Sequence, residues 1–416
     1  MKAATVLIST LLAAVSVAYP AIPAFPLPPR DVLVFRRANV IDGLSARPLR
    51  DVTVVVRDGR IESVSRGSAR VPAGARIIDL GGRWLLPGFI DAHVHLRDLG
   101  SARAALRSGV TTARSLGVNR FVDIDIRQRH RAGADDLPDV VASGYHVRRR
   151  LAEDFFLDAP ELRALAGGLS GADDVRPVVR VMVRRGADVV KVMATERAGM
   201  LETDPLRRVL NDEELAAAVA EAQSAGIPVA AHAHSDEGAR AAVLAGARTI
   251  EHGTLLGADT LALMRKRGTC FVPTISFWQD MLDAGGEYDH PDLAARAREM
   301  LPRVRQATAL ASKMGVRVAA GSDMRYDASS TRNVADEVAE LIRAGVPPME
   351  AIKAATSGAA QCLGVGGSTG SIRPGLQADL IVLDRDPLRD ASALRNPLLI
   401  INDGRVAFDR FAPPLK

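Results

Sequence analysis

The sequence predicts an α/β protein, a (β/α)8 barrel with a small β-sandwich built from both chain ends. Three observations lead there. Between about residues 85 and 364, short apolar strands alternate with Ala- and Arg-rich helical stretches, the rhythm of a parallel sheet. Hairpin signals mark both ends of the chain. His, Lys and Asp residues gather at the carboxyl ends of the predicted strands, where parallel barrels carry their functional groups.

The chain has 416 residues, more than a typical single domain, so a large barrel with an accessory domain is expected. Hydrophobic residues make up 47% and charged residues 25%, the balance of an ordinary globular protein. The net charge of +5 is spread along the chain in short clusters such as Arg148-Arg149-Arg150. Aromatic content is only 4%, so the concentrated basic face and stacking aromatics of nucleic-acid binders are missing.

The N-terminus carries Lys2, an apolar run from Ala3 to Ala18 and small residues Ser16-Val17-Ala18 before a Pro-rich stretch from Pro20 to Pro29. This reads as a cleaved signal peptide over residues 1–18, or up to 24, with export to the periplasm or outside the cell. The run is shorter than the roughly 20 residues a spanning helix needs, and Thr5, Ser9 and Thr10 interrupt it, so no stable membrane insertion is expected. Cys270 and Cys362 are the only cysteines; one internal disulfide and two buried thiols both fit.

After the Pro-rich stretch, Val32 to Ile41 is β-rich, and Asp51 to Val64 holds two strand-like runs around Asp58-Gly59, a strong hairpin signal. The device recurs where Leu398–Ile401 and Arg405–Phe408 flank Asp403-Gly404. Residues 30–85 and 366–416 are therefore assigned to the β-sandwich, and 86–365 to the barrel. Barrel strands are expected near Leu86–Asp91, Val110–Ala113, Asp139–Ala142, Asp188–Met193, Pro228–Ala231, Thr249–Glu251, Thr269–Pro273 and Val316–Gly321. Asp212 to Ala225 reads as a helix, acidic in its first turn and followed by Gly226. Gly366-Gly367-Ser368-Thr369-Gly370 matches Gly-x-Ser-x-Gly, but no strand precedes it and Ser371-Ile372-Arg373-Pro374 cannot open the required helix. It reads as a flexible link, not a nucleophile turn.

The first barrel strand ends in Asp91-Ala92-His93-Val94-His95. Residues two apart on a strand share a face, so His93 and His95 can chelate one metal. Lys191 ends the fourth strand. It is one of six lysines beside 48 arginines, and the only one between Lys2 and Lys266. A lone lysine in a chain that otherwise uses Arg suggests chemistry a primary amine alone can do: a CO2-derived carbamate bridging two cations, a Schiff base, or pairing with a carboxylate. The fifth strand ends in His232-Ala233-His234, the sixth in Glu251-His252 and the eighth in Ser322-Asp323. Five of the eight histidines thus lie at strand ends; His130, His146 and His290 fall in helices or loops, with His146 near enough to reach a substrate.

Imidazoles, an anionic bridge and an aspartate suit zinc or a similar cation. Two such ions roughly 3.5–4 Å apart would share a hydroxide as nucleophile, with Asp323 taking its proton and passing it to a leaving amine. Lys191 would lack this bridging purpose in a mononuclear deaminase.

Leu86-Pro87-Gly88-Phe89-Ile90-Asp91-Ala92-His93-Val94-His95, the strand Asp188 to Ala194 and the return segment Gly375 to Asp384 resemble the amidohydrolase superfamily, across nearly the whole mature chain. The chain is most similar to its imidazolonepropionase-related group of Xaa-Pro dipeptidases, carboxypeptidases for basic residues and ochratoxinase-like amidases. That resemblance implies His93, His95, Lys191 and Asp323 around one metal, Lys191, His232 and His252 around the other, and His234 on the substrate or transition state. It also implies a small-molecule amide or dipeptide substrate and, as in many related barrels, a homo-oligomer. The expected function is therefore cleavage of an amide bond in a small carboxylated substrate: an Xaa-Pro or Xaa-basic dipeptide or an N-acyl amino acid. Lactone, cyclic-amide or imine hydrolysis on the same barrel is the alternative. The segments Ser143–Arg150 and Thr195-Glu196-Arg197 depart from the group's pattern beside the expected substrate pocket. Arg148, Arg149, Arg150 and Arg197 could bind a substrate carboxylate there or serve as solvated surface residues.

Overall fold

The computed structural model describes residues 32–67 and 70–411, and the chain is a mixed α/β protein. The proposed signal peptide lies outside the described residues. The strands are β1 (Leu33–Val40), β2 (Leu49–Arg57), β3 (Arg60–Arg66), β4 (Arg76–Asp79), β5 (Trp84–Pro87), β6 (Phe89–Val94), β7 (Val110–Ser115) and β8 (Asp139–Ala142). They continue with β9 (His146–Val147), β10 (Val190–Met193), β11 (Val229–Ala233), β12 (Thr249–His252), β13 (Cys270–Val272), β14 (Leu380–Leu383), β15 (Leu399–Asn402) and β16 (Arg405–Asp409).

Both chain ends enter one eight-stranded sheet, ordered β16-β15-β14-β5-β1-β2-β3, with β4 on β1. The hairpins form where expected: Asp58-Gly59 and Asp403-Gly404 have positive φ at both positions, as a two-residue turn between twisted strands requires. The tips meet, so a Cβ at Gly404 would lie 2.4 Å from Gly59 Cα. Alternation divides the sheet between two cores. Leu380 and Val382 pack with Val54, Val56 and Leu399, whereas Ile381, Leu383 and Ile400 join the large core under the helices.

The run from Leu86 to Asp91, expected as one strand, divides at Gly88. Leu86 pairs antiparallel with Ile381 of the terminal sheet, while Phe89 pairs parallel with Val110. A side chain at Gly88 would strike Thr111, 2.2 Å from Oγ1, which is why the crossing uses glycine.

The remaining strands form two parallel sheets, β6-β7-β8 and β9-β10-β11-β12-β13. They are bonded along both edges. Asp188 N donates to Ala142 O (2.8 Å) on one side. On the other, Phe271 N donates to Arg317 O (2.8 Å), Ala92 N to Ala320 O (2.9 Å) and His95 N to Met324 O (3.0 Å). The eighth expected strand, Val316–Gly321, is present only as one isolated bridge, Phe271 with Val318, and a second bridge, Val94 with Met324, follows just beyond it. Regular pairing stops because the chain presses on β6 at Gly321, where a Cβ would lie 2.7 Å from His93 Cβ, and turns to φ 60° at Asp323.

The helix expected over 212–225 spans Asp212–Ser224, capped reciprocally by Asn211 and Glu214. Cys270 of β13 is disulfide-bonded to Cys362, 92 residues away, at the end of the helix Ser357–Leu363. Far from being a loose link, the Gly366–Gly370 stretch is tied down: Thr369 Oγ1 donates to Asp379 Oδ2 (2.6 Å) and Gln377 N to Ser368 O (2.8 Å). His130, in the helix Val122–Arg131, lies between Asp139 of β8 (3.3 Å) and Asp403 of the terminal hairpin (3.1 Å), joining the two parts of the fold.

Two outcomes are expected. Gly404→Ala should destabilise the fold by about 1–3 kcal/mol through its left-handed backbone, plus the collision with Gly59. Gly226→Ala, also at positive φ but with open space around it, should cost less in denaturant titration. Burial opposes protonation of His130, but Asp139 and Asp403 outweigh it and raise its pKa from 6.5 to about 10. A raised folded-state pKa stabilises fully below the ordinary value and is lost as pH climbs through the raised one. The stability difference between wild type and His130→Gln should therefore shrink between pH 6.5 and about 10; a constant difference refutes the charged contact.

Candidate metal-binding active site

The predicted residues converge because each ends a neighbouring strand or lies just beyond it. His93, His95, His146, Lys191, Arg197, His232, His234, His252 and Asp323 all line one cavity of about 290 Å³. A larger hollow of about 790 Å³ opens at the opposite strand ends, among Asp139, Asp188 and Pro228, away from these histidines. His146, expected in a loop, forms the short strand β9 against β10, opposite Lys191, and this pairing brings it to the cavity.

Most of the imidazoles are held by groups outside the cluster. His93 Nδ1 lies 2.9 Å from Glu251 Oε2, and Arg114 Nη2 donates to Glu251 Oε1 (2.8 Å). The carboxylate fixes the ring and directs Nε2 toward Lys191 Nζ (3.4 Å) and Asp323 Oδ1 (3.4 Å). His252 Nδ1 meets Thr274 Oγ1 (2.8 Å), and His234 Nδ1 meets Thr254 Oγ1 (2.9 Å). His234 Nε2 is buried with no hydrogen-bond partner. His232 Nε2 lies 2.9 Å from Glu196 O, and His95 Nε2 lies 2.9 Å from Asp323 Oδ1.

Asp323 owes its place to Asp91. This buried carboxylate accepts from His93 N (3.2 Å), Ser322 N (2.9 Å), Ser322 Oγ (2.6 Å) and Tyr326 OH (2.7 Å), pinning the turn that presents Asp323. Burial raises the Asp91 pKa to about 6 against these four donors.

Burial makes the imidazoles neutral donors. It lowers the pKa of His93 to about 4 and of His234 to about 3, and takes His232 and His252 well below the ordinary value. Burial also lowers Lys191 to about 8, so its amine has an accessible neutral form. Asp323 is pulled down to about 2, because His93, His95 and Lys191 outweigh its burial. Among the described residues, His93, His252 and Asp323 form one group able to hold a metal ion, and His232, His234 and His252 another. Clustered lone pairs, one carboxylate and the unpartnered nitrogen of His234 fit a divalent cation of zinc type.

Several participants escaped the sequence reading. Asp91 and Glu251 were visible within the strand-end motifs but had no assigned role. Arg114 carries no signal in the sequence, since only tertiary contact joins it to Glu251. Arg97, Tyr288 and Arg325 also line the cavity from loops without motif spacing. Arg149, a candidate for carboxylate binding, is committed elsewhere: it grips Glu214 with both terminal nitrogens (2.5 and 2.7 Å) and donates to Leu169 O and Val209 O. Arg150 is exposed and lines neither this cavity nor the hollow beside it.

Residues 84–407 match the Amidohydrolase family, and the chain belongs to that family. It falls with the prolidase and ochratoxinase-like members and is a hydrolase of C–N bonds. An uncharacterised protein of Mycobacterium tuberculosis is 31% identical over 88% of this chain and 94% of its own length. The ochratoxinase of Aspergillus niger is 33% identical over 228 residues, 55% of this chain and 47% of that protein. A Xaa-Pro dipeptidase crystallised with methionine in its active site superposes with a TM-score of 0.82 at 27% identity, covering 90% of this chain and 99% of that one.

Glu251→Gln should weaken metal binding by roughly tenfold to a hundredfold, the usual effect of losing a carboxylate behind a ligand histidine. Competition against a chromophoric chelator measures this, and unchanged affinity would show that Glu251 does not orient His93.

Proposed function

We propose that this chain is an exported, binuclear amidohydrolase that cleaves the amide bond of a small carboxylated substrate, a Xaa-Pro or Xaa-basic dipeptide or an N-acyl amino acid. The observation that carries the proposal is the convergence of five strand-end imidazoles, Lys191 and Asp323 on one cavity in a member of the Amidohydrolase family. The parallel strands, bonded at both edges, are read as the (β/α)8 barrel, and the terminal sheet, with a core of its own, as the β-sandwich.

His93, His95, Lys191 and Asp323 would hold one metal; Lys191, His232 and His252 would hold the other, with Lys191 bridging as its carbamate. When bound, two zinc-type ions would activate water and polarise the amide carbonyl. Asp323, ionised at neutral pH and beside His95, accepts the proton from the attacking water and returns it to the leaving amine. His234 keeps Nε2 free for the substrate, or for the second metal group it shares with His232 and His252. His146 and Arg197 border the substrate space. Export accords with the Cys270–Cys362 disulfide, a bond that persists in oxidising compartments.

The test is product detection by mass spectrometry with zinc-loaded protein and bicarbonate, on Xaa-Pro, Xaa-Arg and Xaa-Lys dipeptides, N-acyl amino acids, a lactone and a cyclic imide. Amide cleavage should vanish with chelator and in Lys191→Ala, and 13C-bicarbonate should give a carbamate resonance in wild type only. Turnover confined to the lactone or imide would sink the proposed substrate class.

A further inference from the structure

The cavity holding the histidines opens into a second hollow of about 450 Å³, and the two share Arg97, Gly117, His146 and Arg197 as lining. A volume of this order suits part of a small-molecule ligand. Arg120 and Arg148 complete a set of four arginines around the second hollow, while no Asp or Glu lines it.

Three of these four lack the carboxylate partner that most of the described arginines have. Among the described residues, the guanidinium groups of Arg97, Arg148 and Arg197 have neither a hydrogen bond nor an ion pair, and Arg120 lies only 3.7 Å from Asp158. Arg148 and Arg197 are half-buried. Burial, followed by the charge of Arg197, pushes the Arg148 guanidinium down; burial also lowers Arg197, where Tyr288 and Asp323 oppose it and Arg97 and Arg325 add to it. Half-buried like charges facing a shared space repel one another unless an anion lies between them. The hollow also has an apolar side, formed by Val118, Val122 and Ala152, that can cover a short carbon chain.

We infer that this hollow is a subsite for a dianionic group, and that the hydrolysed amide carries an acidic amino acid or other short dicarboxylate. One carboxylate lies between Arg97 and Arg197, which line both spaces; the second reaches Arg148 and Arg120, which line the second hollow alone. Guanidinium forks match carboxylates in both charge and geometry, and the same charge opposes a basic side chain. The substrate class rests on the amide-hydrolase reading, whereas the dianion subsite does not.

Two measurements on the zinc-loaded protein separate these claims. The first compares kcat/KM for Ala-Glu with Ala-Gln, Ala-Pro and Ala-Arg. Ala-Glu should exceed its amide isostere by roughly tenfold to a hundredfold, the range of one or two charged hydrogen bonds. Arg148→Met and Arg197→Met should each bring the Glu/Gln ratio toward one, chiefly through KM. Ala-Gln, Ala-Pro or Ala-Arg turned over as well as Ala-Glu, or a ratio unchanged in both variants, overturns the inference and leaves the amide-hydrolase reading intact. The second titrates glutarate, butyrate and inorganic phosphate by calorimetry. Glutarate should bind tightest and lose affinity roughly tenfold in Arg148→Met. Glutarate binding that depends on Arg148, with no amide cleaved, removes the hydrolase reading and keeps the subsite. Phosphate binding tighter than glutarate overturns the dicarboxylate assignment.

Discussion

Asp91 is the buried carboxylate on which the arrangement of the site depends. It lies outside the cavity, yet its two oxygens gather the amide of His93, the amide and hydroxyl of Ser322 and the phenol of Tyr326. It thereby joins the first parallel strand to the segment that should have been the eighth. That segment does not run on as a regular strand, because Asp323 must take φ 60° to aim its carboxylate at His95 and His93. A left-handed backbone at a non-glycine residue costs about 1–3 kcal/mol, and the four hydrogen bonds to Asp91 over-determine the turn.

Electrostatics imposes the second constraint. Six imidazoles and an amine around one buried cavity can coexist only if most are uncharged, and burial achieves that. The same burial would protonate Glu251, but Arg114 and His93 hold it ionised, with its pKa lowered to about 2. A fixed negative charge behind His93 then sets the tautomer that faces the cavity. The cluster is thus built for cations at one end, while the adjoining hollow, with four arginines and no acid, has the opposite polarity.

The terminal sheet bears on the site indirectly. β5 leads straight into β6 through Gly88, so the register of Leu86 on β14 places the strand that carries His93 and His95. Contact between the hairpin tips, the bridging His130 and the Cys270–Cys362 link fasten the sheet and the last helices to the parallel strands.

The hairpins and the residues that line the cavity were largely legible in the sequence because their signals are local. Asp58-Gly59 and Asp403-Gly404 specify their turns within four residues, the spacing of His93 and His95 places both on one strand face, and Lys191 stands out as a lone lysine among arginines at a strand end. What only the tertiary structure decided depends on residues far apart in the chain. It split Leu86–Asp91 at the crowding with Thr111, paired Cys270 with Cys362, and placed Arg114 behind Glu251. It also gave Arg149 to Glu214 while leaving its neighbour Arg148 unpaired beside Arg197. An arginine's charge can be read from one letter, but its partner is set by which distant segments the packed core brings alongside it.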